Sequence, residues 1–177
     1  MSREPRVVLV GMMGAGKSTV GMAISHLTGW RYVDNDEVVA ELTGMPTREL
    51  LAQRGEAAMR EAEFAAVDKV LAMAPPVVAG AAAGVVLDES VCARLRAGAF
   101  VVYLRARIET LDERVKGTYR PWLGADPGAA MHKLYEGREP RYEKLAHLVI
   151  EVDDASPDDV AQQIIAAATR GARGLSK

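Results

Sequence analysis

Cysteine is almost absent: the 177-residue chain holds one, Cys92. A lone thiol closes no internal disulfide, and His26, His132 and His147 show no metal-ligand spacing, so disulfide-framework and zinc-site classes are excluded. An excess of basic charge is also lacking. The 22 Lys+Arg and 24 Asp+Glu leave a net charge of −2, which is not the broad positive field that sequence-independent nucleic-acid binding requires. Long apolar runs are missing too. Val7 to Val10 is too short for a signal-peptide core and runs into Gly11; Pro75 to Leu87 falls short of the roughly 20 residues that span a bilayer. The expectation is one soluble cytoplasmic domain, with no nucleic-acid or membrane partner. At 49% hydrophobic and 26% charged residues, such a chain can bury a real core.

Short β-branched runs alternate with longer stretches of helical period, the pattern of an α/β fold in three layers: a five-stranded parallel sheet with helices on both faces. The runs at 6–10, 31–34, 76–79, 100–104 and 147–152 predict the strands. Helices are expected at 17–28, 37–42, 47–53, 56–73, 90–97, 108–115, 128–145 and 157–169, with a frayed tail from Gly171. The span from Lys116 to Gly128 is rich in glycine and proline and long for a connector, which suggests a mobile lid over residues 116–127.

The strongest motif is Gly11-Met12-Met13-Gly14-Ala15-Gly16-Lys17-Ser18, a match to G-x-x-x-x-G-K-[ST] between an apolar strand and a helix. Its glycines let successive backbone N–H groups converge on phosphate oxygens. The helix start adds its positive dipole end, Lys17 reaches the terminal phosphates and Ser18 can ligate Mg²⁺. Nucleotide binding follows. A magnesium nucleotide also calls for a carboxylate at a strand end. The strands ending at Ala79 and Leu104 supply none, which leaves Asp34 and Asp36 in Asp34-Asn35-Asp36-Glu37. Either alone reads equally as a cap of the helix that follows; as a pair, Asp34 is assigned to the metal and Asp36 to a substrate hydroxyl.

The chain resembles the shikimate kinases, small P-loop kinases of the nucleoside-monophosphate-kinase-like group. The resemblance rests on five ordered motifs: Gly11 to Gly21, Val33-Asp34-Asn35-Asp36, Gly55-Glu56-Ala57-Ala58-Met59-Arg60-Glu61-Ala62-Glu63, Arg120-Pro121-Trp122-Leu123, and Arg138-Glu139-Pro140-Arg141-Tyr142. It implies transfer of the γ-phosphoryl of ATP to the 3-hydroxyl of shikimate, with ATP and Mg²⁺ as cofactors, in a monomer. By the same resemblance Gly14, Ala15, Gly16, Lys17, Ser18 and Thr19 hold the nucleotide, and Arg114 lies against the adenine. Asp36 acts on the acceptor hydroxyl, and Lys17 and Arg120 neutralise the transferring phosphoryl. Arg60 and Arg138 grip the acceptor carboxylate, and the helices over 36–62 form a substrate-binding subdomain. Taken singly, Arg60 reads better as a surface partner of Glu56 or Glu63, and Arg138 as one of Glu136 or Glu139; taken with their motifs, both are assigned to the site.

One stretch departs from the family pattern. Where the family carries three glycines, this chain reads Gly80-Ala81-Ala82-Ala83-Gly84. Counting back from Tyr103 aligns Ala82, Ala83 and Gly84 with the triplet; counting forward from Arg60 aligns Ala81 to Ala83. The added methyls either obstruct a ligand and forbid positive φ, or are harmless because a helix start or turn here tolerates alanine while Gly80 and Gly84 take over the special backbone angles. Three readings stay open: a shikimate kinase, a kinase of the same fold for another polyol or hydroxy acid, and a nucleotide-binding protein without catalysis. Retention of Lys17, Asp34, Asp36, Arg60, Arg120 and Arg138 favours the first.

Overall fold

The computed structural model describes residues 4–118 and 123–174. Five parallel strands, β1 (Arg6–Val10), β2 (Arg31–Asp34), β3 (Val77–Gly80), β4 (Phe100–Arg105) and β5 (Leu148–Glu151), form one sheet in the order β2-β3-β1-β4-β5. The three inner strands are covered on both faces, and this is why they read as unbroken apolar runs rather than as alternation. Val7, Val8, Leu9 and Val10 are all buried, as are Val77 and Val78.

Seven helices cover the sheet: α1 (Lys17–Thr28), α2 (Asn35–Thr43), α3 (Thr47–Ala72), α4 (Glu89–Gly98), α5 (Ile108–Val115), α6 (Pro127–Leu145) and α7 (Pro157–Gly174). On one face Val8 and Ala79 meet Ala66, Val67 and Val70 of α3 and Leu95 of α4. Alternation along the strand sends Val7 and Leu9 to the other face, where α1 packs beside α7. Side-chain caps start several helices. Asp34 accepts from the Asp36 N–H, Asp88 from the Val91 N–H and Asp126 from the Ala129 N–H, each satisfying a first-turn donor that lacks an intrahelical partner.

The expected helices at 47–53 and 56–73 are the two halves of α3, and the break between them falls at Gly55. Only Gly55 leaves helical angles, at φ 82 and ψ 177, so α3 kinks there and continues to Ala72. Those angles lie in a region open essentially to glycine alone. A 3-10 turn at Val85–Leu87 was not legible in the sequence, and α7 runs on to Gly174 where fraying from Gly171 was expected. Strand β5 is a residue shorter at each end than its apolar run.

Register sets the height of the site. Leu9 pairs with Gly80, and Gly80 with Asp34, so the glycine-rich loop after β1, the Asp34 carboxylate and the loop after β3 emerge side by side at the carboxyl edge. Ligands of open α/β sheets bind at that edge.

Candidate active site

The loop between β1 and α1 turns on three glycines with positive φ: 148° at Gly11, 84° at Gly14 and 94° at Gly16. Gly11 is required twice over, since a Cβ there would also lie 2.7 Å from the Leu104 carbonyl oxygen. Helix α1 starts at Lys17 with no side-chain cap, which leaves first-turn N–H groups for an anion. The Lys17 Nζ donates to the carbonyls of Gly11 (2.8 Å) and Met12 (3.0 Å), so the ammonium is held over the loop it is expected to serve.

Asp34 caps the helix that follows, one of the two roles the sequence allowed, and turns its other oxygen to Ser18. Its Oδ1 accepts from the Asp36 N–H at 2.9 Å and caps α2, while its Oδ2 accepts from Ser18 Oγ at 3.0 Å and from the Tyr32 hydroxyl at 2.9 Å. Tyr32 was not singled out by the sequence, having no motif to mark it. Burial pushes its pKa up, so it stays a donor to Asp34, and Gly21 makes room for its ring: a Cβ there would lie 2.2 Å from Cε2. Asp36 caps nothing; its Oδ1 accepts from the Thr47 hydroxyl at 2.9 Å.

Among the described residues no group of three His, Cys, Asp or Glu could cage a metal. Ser18 Oγ and Asp34 Oδ2 are nonetheless hard oxygen donors beside the phosphate loop. That donor set fits Mg²⁺, which takes one or two protein oxygens and fills its remaining positions with water and phosphate.

A cavity of about 830 Å³ joins the phosphate loop to Asp36, Arg60, Arg138 and the segment Gly80 to Gly84. Arg60, on α3 beyond the Gly55 kink, donates to Glu63 at 2.8 Å and to Glu56 at 3.3 Å. The pairing expected of a surface residue is therefore present, but inside the cavity wall. Burial pushes the Glu63 pKa up, against the opposing pull of Arg60. Arg138 is only 6% exposed, so the alternative reading of it as a surface partner of Glu136 or Glu139 is wrong: helix α6 turns it inward.

The alanine-rich loop is a turn into the 3-10 helix, with the Val85 N–H on the Ala82 carbonyl, as the benign reading of the alanines expected; what fails in that reading is the part given to Gly80 and Gly84. Among the described residues no non-glycine has positive φ, and neither do Gly80 and Gly84, the latter sitting at φ −87. No special angles exist here for those glycines to take over, and alanine is tolerated for that reason. Space is what matters. A Cβ on Gly84 would lie 1.7 Å from Arg60 Nη1, while Ala82 and Ala83 line the cavity and add methyls to its wall. The Tyr142 hydroxyl pins the loop by donating to the Ala83 carbonyl at 2.5 Å.

Arg114 spans from the Gly14 carbonyl (3.2 Å) to the Val152 carbonyl (3.0 Å), joining the phosphate loop to the end of β5. Arg120, with its neighbours Tyr119, Pro121 and Trp122, lies outside the described residues, as does the centre of the 116–127 lid. At the lid's far side Leu123 is buried and faces the cavity with Ala130 and Leu134.

An anion loop feeding a helix, beside an acceptor cavity at the carboxyl edge of a 2-3-1-4-5 sheet, defines a P-loop kinase acting on a small molecule. A sequence profile described as shikimate kinase matches residues 13–169. The shikimate kinase of Marinomonas sp. is 36% identical over 173 residues, covering 96% of this chain and 95% of that protein. The shikimate kinase of Caldanaerobacter subterraneus is 35% identical over 91% of this chain and 94% of its own. In structure, the Acinetobacter baumannii shikimate kinase in complex with shikimate superposes with a TM-score of 0.88 at 27% identity, covering 96% of both chains. The chain belongs to the shikimate kinase family, and its members are ATP-dependent kinases.

Proposed function

We propose that the protein transfers the γ-phosphoryl of ATP to the 3-hydroxyl of shikimate. The observation that carries this is one cavity holding the phosphate loop with Lys17, the Asp36 carboxylate, and two arginines, Arg60 and Arg138, suited to a single carboxylate. Planar guanidinium groups match a carboxylate with paired donors in a way an ammonium does not. ATP binds with its phosphates on Gly14, Ala15, Gly16, Lys17, Ser18 and Thr19, and its adenine lies against Arg114. Asp36 orients the acceptor hydroxyl and takes its proton as the oxygen attacks the γ-phosphorus. The bond from that phosphorus to the β–γ bridging oxygen breaks, and ADP leaves. Lys17, and Arg120 delivered by the lid, offset charge on the transferring group, since alignment and charge stabilisation are what phosphoryl transfer mainly needs from a protein.

Ser18 and Asp34 are the residues that would hold Mg²⁺, and the metal's contribution is to neutralise phosphate charge. Ala82, Ala83 and Gly84 form the acceptor wall. The helices over 36–62 act as the substrate-binding part and 116–127 as the lid of a single-domain, monomeric, cytoplasmic enzyme. Among the described residues no helix is long and apolar enough to cross a membrane.

An ATP-coupled assay with shikimate, run beside quinate and gluconate, tests the reading. Turnover is expected with shikimate; activity on another acceptor alone would overturn it. Asp36→Asn is expected to lower kcat by about a hundredfold or more with ATP affinity kept. Equal losses in both would show that Asp36 has a different role.

A further inference from the structure

Thr47 opens α3, directly after Pro46 and with no side-chain cap on the helix. Its hydroxyl is not used as a cap. Instead Oγ1 donates to Asp36 Oδ1 at 2.9 Å, across eleven residues of chain, and both side chains line the active-site cavity. The contact needs the α2–α3 turn to hold its shape. The Thr43 hydroxyl bonds to the carbonyls of Val39 (2.8 Å) and Met45 (3.0 Å), and Gly44 closes α2 with its N–H on the Ala40 carbonyl. The turn therefore places Thr47 beside the second residue of α2.

We infer that Thr47 is a positioning residue for the acceptor: its hydroxyl occupies one Asp36 oxygen, fixing the carboxylate plane so that the other oxygen meets the acceptor hydroxyl. This rests on the reading of Asp36 given above. A carboxylate on an exposed helix start has two χ angles to settle. One fixed donor on Oδ1 removes most of that freedom before substrate arrives, and preorganisation of this kind acts on turnover more than on nucleotide binding. The bond also joins α2 to the helix that carries Arg60, so the groups for the acceptor hydroxyl and for its carboxylate are set by one frame.

A structural clip between two helices would give the same contact, so the test must separate the two. Thr47→Val keeps shape and removes the donor; Thr47→Ser keeps the donor. For Thr47→Val, kcat/KM for shikimate is expected to fall about tenfold, the size of one hydrogen bond to a charged group, with KM for ATP within about twofold of the parent. Thr47→Ser should recover most of that loss. Calorimetric shikimate binding then closes a double-mutant cycle with Asp36→Ala. Thr47→Val should weaken binding in the parent and change it less than about twofold when Asp36 is already gone.

Parent-like kinetics in Thr47→Val, equal losses in the serine and valine variants, or an undiminished cost in the Asp36→Ala background would each overturn the inference. Unimpaired turnover in Asp36→Asn would overturn the reading of Asp36 beneath it as well. Impaired Asp36→Asn with a parent-like Thr47→Val would remove this inference alone.

Discussion

Gly84 sits under the Arg60 guanidinium with ordinary right-handed backbone angles, φ −87 and ψ −3. Its need for glycine is steric and local. Because the clashing atom, 1.7 Å from a built Cβ, is the far end of a flexible side chain, Gly84→Ala should fold and displace Arg60. The expected result is a KM for shikimate raised about tenfold or more, with KM for ATP and thermal stability close to the parent. Coupled-assay kinetics and a melting curve check it; an unchanged shikimate KM would mean Arg60 can shift and still serve. This also shows what a sequence conceals at the residue scale. The substitution of alanine for glycine at 81–83 was visible, and so was Gly84, but whether φ or volume decided the matter depended on backbone angles and on an arginine 24 residues away. Tyr32 escaped notice for a related reason: its role comes from β2 lying against α1 at Gly21 and leaves no local pattern. Lys17, Ser18, Asp34 and Asp36 were legible because strand, loop and helix fall on consecutive residues.

Among the elements, α3 shows how one residue aims two halves of a helix. Thr47 precedes the kink at Gly55 and Arg60 follows it, so the angle at Gly55 sets Arg60 relative to Thr47, the hydrogen-bond partner of Asp36. Nothing lies within 4 Å of a Cβ built on Gly55, and Gly55→Ala thus isolates backbone strain from packing. A side chain at φ 82, ψ 177 costs about 1 to 3 kcal/mol. Relief of that strain would straighten α3 and swing Arg60. Gly55→Ala is expected to lower the midpoint of chemical denaturation and raise the shikimate KM together. A lost midpoint with unaltered kinetics would show that the kink supports folding only. The sequence announced the break between Gln53 and Glu56, since glycine interrupts the helical period there, but periodicity has no term for the direction in which a helix resumes. The strands were legible to within a residue or two because the inner ones are buried on both faces and carry unbroken Val and Leu, whereas the ends of β5, an edge strand, are set by what packs on it.

For the whole molecule, one pH-sensitive contact, made by His147, lies at the end of the sheet opposite the chemistry. The site lies at the carboxyl edge, whereas His147 precedes β5 and lies at the start of β4. There its Nδ1 accepts from the Val101 N–H at 3.0 Å and its ring stacks on Phe100. Burial, and then the charge of Arg96, push the His147 pKa below the ordinary 6.5. The Arg96 side chain is held in place by donating to the carbonyls of Lys144 and Leu145 at the end of α6. An imidazole whose folded pKa is depressed binds its proton more readily once the chain is unfolded. Its contribution to stability is therefore present above 6.5 and is lost as pH falls through the lower folded value. Protonation also removes the acceptor that Val101 uses. His147→Asn keeps an acceptor in the Nδ1 position without the titration, so it reports this one group against the background of every other carboxylate and histidine. Thermal melts at about pH 7.5 and about pH 5 should show the parent losing more stability on acidification than His147→Asn, with kcat at neutral pH alike in the two. Equal losses would place the acid sensitivity elsewhere, and a larger loss in the variant would reverse the sign argued here.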